Sequence, residues 1–76
     1  MREFIEFIAK HLVDHPDAVH VEENEQESKV VLKLSVGEDE VGKVIGRKGR
    51  TARALRTLLN AVAAKEGKHA VLEIAS

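Results

Sequence analysis

An α+β sandwich, ordered α-β-β-α-α-β with three helices packed on a three-stranded mixed sheet, is the fold this sequence predicts. Two observations carry the prediction. Apolar residues recur at helical spacing from Phe4 to Val13 and again from Ala52 to Val62, whereas "AVHVEE", "SKVVLKLSV" and "AVLEI" carry the period-two alternation of half-buried strands. Between these runs stand Pro16 and glycines at positions 37, 46, 49 and 67, which punctuate the chain where one period gives way to the next.

The first helix presents Phe4, Ile5, Ile8 and Leu12 on one face and Glu3, Glu6 and Lys10 on others. Pro16 disfavours helical geometry at His15, so this helix ends near Asp14. Val19 and Val21 mark the first strand; Val30, Leu32, Leu34 and Val36 mark the second; the acidic "ENEQES" between them reads as the exposed turn of a hairpin. Gly37 closes the second strand, and Glu38, Asp39 and Glu40 offer a capping side chain and negative charge to a short helix through Ile45. Gly46 ends that helix in the left-handed conformation, and the chain restarts after Gly49 as a longer helix. Its expected buried stripe is Ala52, Leu55, Leu58, Leu59 and Val62, with Arg50, Arg53 and Arg56 off the stripe and Gly67 as the stop before the third strand. No repeat, low-complexity segment or linker interrupts the chain, and residues 1–76 read as one domain.

Composition excludes several classes of function. With no cysteine, disulfides and thiolate metal sites are ruled out, and charges at Arg2, Glu3, Glu6 and Lys10 break any apolar leader or membrane span, so a soluble cytoplasmic protein is expected. Phe4 and Phe7 are the only aromatics, too few for a base-stacking platform, and are read as core or interface residues. His11 and His15 lie one helical turn apart but lack the carboxylate of an H-E-x-x-H pair, so no metal is assigned. No nucleophile has a recognisable partner, which points to a non-enzyme without cofactor or small-molecule substrate.

The net charge of −1 conceals a strong polarity. Val41 to Lys65 holds Lys43, Arg47, Lys48, Arg50, Arg53, Arg56 and Lys65 with no acid, a local +7, while the remainder carries five cations against thirteen anions, a net −8. Such a surface attracts a polyanion to one side and repels it elsewhere. At the centre of the basic segment, Gly46-Arg47-Lys48-Gly49 falls between two helices. Glycines lacking Cβ atoms allow close approach of a phosphate chain, the amides opening the next helix point outward, and Arg47 and Lys48 supply countercharge, with Arg50, Arg53 and Lys43 extending the track. The dinucleotide fingerprint fails because position 44 is Val44, and a Walker loop fails because Gly42 and Gly46 enclose three residues rather than four.

"VIGRKG" in this element order resembles a KH domain of type II, the bacterial arrangement. The likeness extends through "HPDAV" and "VGKVIGRKGRTARALRTL" to the whole length, and is similar to the KhpA family of small stand-alone bacterial KH proteins. It implies a cytoplasmic protein that binds single-stranded RNA, acts as an RNA chaperone or post-transcriptional regulator on small or structural RNAs, and pairs with itself or with a second KH protein of the KhpB type. By the same resemblance Gly46, Arg47, Lys48 and Gly49 form the GXXG loop that clamps about four nucleotides, and Val44 and Ile45 are the apolar pair that helps line the base groove. Ala52 stands where KH domains carry a bulky aliphatic residue, which implies weaker base discrimination and a larger backbone share of affinity. The competing reading is a dimerisation module with weak RNA binding.

Overall fold

A computed structural model describes all residues, 1–76. Helix α1 (Arg2–Leu12) is followed by a single 3₁₀ turn (Pro16–Ala18), strands β1 (His20–Glu25) and β2 (Lys29–Ser35), helix α2 (Val41–Ile45), a 3₁₀ turn (Arg47–Gly49), helix α3 (Arg50–Ala64) and strand β3 (His69–Ala75). The predicted α+β order is therefore present, with three helices over a mixed sheet ordered β1-β2-β3.

Helix α1 buries Ile5 and Ala9 and stops at Leu12, where Val13 turns extended ahead of Pro16. The β1–β2 hairpin pairs antiparallel from His20 opposite Ser35 to Glu25 opposite Val30. Only Gln26 to Ser28 form its turn, so Glu23, Asn24 and Glu25, expected in the loop, lie in the strand. Side-chain alternation could not signal this, because β1 is an edge strand in which Val21 alone is buried and backbone pairing to β2 does the rest. Strand β3 lies parallel to β2, Lys29 opposite His69 through Ser35 opposite Ala75. A parallel pair needs a crossover, and that crossover is α2, the glycine turn and α3.

Val30, Leu32 and Leu34 of β2, with Ala70 and Leu72 of β3, meet Ile5, Ala9, Val44, Leu55, Leu59 and Ala63 in one core. Two stripe assignments change. Helix α3 buries Ala52, Leu55, Leu59 and Ala63, a narrow line at intervals of three and four, and leaves Leu58 and Val62 outside. Likewise Phe4 and Phe7 are not core: Phe7 is 64% exposed and its ring lies against His11, centroids 4.4 Å apart. A chain this small has one sheet face to cover, so each helix contributes only a thin stripe. Helix α3 closes as expected at Gly67, φ +70°, where the Lys68 amide returns to the Ala63 carbonyl and the Gly67 amide to Ala64, both at 3.0 Å.

Candidate nucleic-acid interface

The turn between α2 and α3 is shaped by its two glycines in different ways. Gly46, at φ +78° and ψ 174°, occupies mirror-extended backbone open essentially to glycine, rather than the left-handed helical region expected of it. A Cβ there would also collide with the Thr51 hydroxyl and stand 2.7 Å from Thr51 Cβ. Gly49, at φ +75° and ψ 13°, is left-handed, but a Cβ on it would meet nothing within 4 Å. Between them Lys48 takes φ +57° and ψ +25°, the one non-glycine residue with positive φ.

This path decides which amides are free. The Gly46 N–H donates to the Gly42 carbonyl at 2.9 Å, the Gly49 N–H to Gly46 at 3.1 Å, and the Arg50 N–H turns back to Arg47. The amides of Arg47 and Lys48 reach no backbone carbonyl. Two unpaired donors therefore sit at the tip, between Gly46, which abuts Thr51, and Gly49, whose missing side chain leaves open space for an approaching anion.

The cations divide sharply. Arg47, Lys48, Arg50 and Arg53 are exposed and none makes an ion pair or a side-chain hydrogen bond within the protein. Beyond the tip, Arg50, Arg53, Ala54, Thr57 and Leu58 line a shallow depression along the outer face of α3. Lys43, expected on the same track, instead turns its ammonium to Asp14 Oδ2 at 2.5 Å and Glu40 Oε2 at 3.3 Å. Arg56 lies over the free edge of β3, with its guanidinium 3.4 Å from the Leu72 carbonyl. Asn60, one turn on, accepts the Ala70 amide at 3.0 Å and donates to the Arg56 carbonyl. The pair covers part of an edge that would otherwise present open backbone groups.

The apolar residues flanking the turn also separate. Val44 is 0% exposed and belongs to the core, so it cannot line a surface groove, whereas Ile45 is partly exposed beside Gly46. Ala52 is buried. The acids grouped on β1, Glu22, Glu23 and Glu25, surround a second depression with Asn24, Val31 and Lys33, where a polyanion would be repelled.

Sequence reasoning did not find Glu40. Read as a helix cap, it makes no capping bond. Its carboxylate is buried and accepts the Asp14 amide at 2.5 Å and the His15 amide at 3.1 Å. Burial pushes the Glu40 carboxyl up, but those two N–H bonds and the Lys43 ammonium outweigh it and its pKa is lowered. The bond from Lys43 likewise lowers Asp14, and the bond to Asp14 raises Lys43 above the ordinary lysine value. The only signal in the sequence is the Glu40–Lys43 spacing, which is common in solvated helices.

The family described as "KhpA/KhpB, KH domain" matches residues 2–74. Relatives named "RNA-binding protein KhpA" include that of Clostridium perfringens, 50% identical over 74 residues that cover 97% of this chain and 99% of the relative. That of Aquifex aeolicus is 53% identical, covering 97% and 94%, and that of Borreliella burgdorferi 53% identical, covering 95% and 88%. No solved structure matches the chain. The likeness thus runs through both layers of the sandwich as well as the glycine turn, and the chain belongs to the KhpA/KhpB family of KH domains.

Proposed function

We propose that this protein binds single-stranded RNA without catalysing a reaction, gripping the sugar-phosphate backbone at Gly46-Arg47-Lys48-Gly49 and extending the contact over Arg50 and Arg53. The observation that carries this reading is the set of four exposed, unpaired cations beside the free amides of Arg47 and Lys48. The names of the relatives, which are RNA-binding proteins, support RNA as the polyanion. With Val44 inside the core and Ile45 alone beside the turn, apolar surface for reading bases is scant, so sequence preference is weak and phosphate contact dominates. An RNA chaperone or post-transcriptional regulator in the cytoplasm, acting on small or structural RNAs, fits such binding.

Anisotropy of a labelled single-stranded RNA over a salt series tests it. Four phosphates neutralised by those four cations give a slope of log affinity against log salt of about −3. The double variant Arg47→Asp, Lys48→Asp loses binding while keeping its melting temperature, since both side chains are exposed and unpaired. A flat salt response, or full binding by the double variant, overturns the reading.

A second reading is favoured by Leu58, 48% exposed, which with Ala54 and Val62 makes an apolar line on the outer face of α3 at spacings of four. Through it the domain would pair with itself or with a second KH protein of the KhpB type. Two grooves on one dimer would raise modest single-domain affinity through effective concentration. Sedimentation distinguishes the readings: a dimer indifferent to RNA and broken by Leu58→Glu supports pairing through α3, and a monomer at all concentrations rejects self-pairing.

A further inference from the structure

Building on the RNA reading above, we propose that Asp14, Glu40 and Lys43 form a clamp that holds α2, and with it the glycine turn, at the orientation RNA binding requires. Lys43 is then a positioning residue and not a phosphate contact.

Helix α2 has little else to place it. Five residues are too few to persist by helix propensity, one of them is Gly42, Glu40 ahead of it makes no side-chain cap, and its apolar anchors are only Val44, buried, and Val41, partly buried against the core. The turn follows directly at Gly46, so any tilt of α2 swings the free amides of Arg47 and Lys48. What fixes the other end of α2 is Glu40, 1% exposed and the only buried charged or polar residue in the protein. Each of its oxygens takes a backbone amide from the corner that follows α1, some 25 residues away in the chain. Those amides lie beyond the last turn of α1, where no helical carbonyl is available to them, so the carboxylate and the corner satisfy each other.

Lys43 completes the ring, bonding Glu40 from one turn further on and Asp14 across the gap. If its ammonium swung out to a phosphate, the buried carboxylate would lose its only cation, which is costly for a charge held away from water. The four cations beyond the turn have no such tie. A loosened clamp lowers the fraction of molecules with the turn correctly presented, and apparent affinity falls by that fraction.

The sign of one substitution separates positioning from electrostatics. Asp14→Asn removes a negative charge at a side chain 76% exposed, so it leaves the fold intact, and simple attraction of a polyanion would then increase. The clamp demands the reverse. In a salt series with labelled single-stranded RNA, Asp14→Asn and Lys43→Met each bind about fivefold more weakly, as when the competent fraction drops to roughly one fifth. Their salt slopes match the parent chain, whereas Arg47→Ala, a direct contact, flattens the slope by about 0.7. Unchanged or tighter binding by Asp14→Asn, or a flattened slope in Lys43→Met, overturns the clamp. Should the parent chain bind no RNA, the functional reading fails by itself. The clamp is then judged on the free protein by hydrogen exchange: faster exchange of the Gly46 and Gly49 amides in Asp14→Asn supports it, and unchanged exchange rejects it.

Discussion

The tip and the root of the glycine turn are a few residues apart and are built on opposite terms. At the tip, Arg47 and Lys48 project into solvent, two amides lack partners, and three residues hold positive φ. At the root, Lys43 is bound to two carboxylates, and Glu40 has both oxygens occupied although it is buried. Position in a basic segment therefore does not decide what a cation does; the acids that the fold brings within reach decide it. Lys43 and Lys48 are equivalent in the sequence and differ because the corner after α1 delivers Asp14 to one and nothing to the other.

The largest effect on this contrast comes from the backbone of the tip. Gly46→Ala forces a side chain into backbone open essentially to glycine, at about 1–3 kcal/mol, and drives a methyl group into Thr51, for a total loss of about 3 kcal/mol. Thr51→Ala does not rescue it, because Thr51 Cβ and amide still stand 2.7 and 3.0 Å from the new methyl. Gly49→Ala meets no atom and costs only the conformational part, about 1 kcal/mol. Urea unfolding of the two variants measures the difference, and equal losses would show that the Thr51 contact does not constrain the turn.

Folding moves the pKa values of the groups at the root. Asp14 and Glu40 have folded pKa values below their ordinary 3.8 and 4.5. Carboxylates lowered by folding add stability that is fully present above those ordinary values and is lost as pH falls through the lowered ones. Unfolding free energy should accordingly be level from about pH 7 to 5 and decline below about pH 4. Lys43 has the opposite sign: its raised pKa adds stability that is present below the ordinary 10.5 and is lost as pH climbs through the higher folded value. Urea unfolding across the acid range checks the first limb, and Asp14→Asn should reduce its slope. An acid limb unaffected by that variant would place the titrating groups elsewhere.

Legibility followed the same division. The element order, the mixed sheet under three helices and the turn itself rest on local signals: period, proline, glycine and charge run. The root depends on Asp14 and Glu40 meeting across a corner, which no local period encodes, and so in sequence Glu40 reads as a cap. The narrowness of the α3 stripe was hidden for a related reason. Leu58 and Val62 are as apolar as Leu59, and only the placement of the sheet determines which of them is covered. The resemblance places Val44 in the groove, but its position on a one-turn helix over the core sends it inward.

The smallest predicted effect lies within the tip and sets stability against binding at one residue. Lys48 holds left-handed backbone without the freedom of glycine, and its side chain touches no acid that would compensate. Lys48→Gly relieves that strain while enlarging the entropy of the unfolded chain, for a net gain of about 0.5 kcal/mol in unfolding free energy. The same change deletes one phosphate contact and flattens the RNA salt slope by about 0.7. Lys48→Asn, which tolerates the left-handed region, gives a smaller gain with the same loss of slope. A more stable protein with weaker, less salt-sensitive binding means that the strain is kept at this position for the sake of the cation. If Lys48→Gly were destabilising, the left-handed geometry would not be what limits the tip.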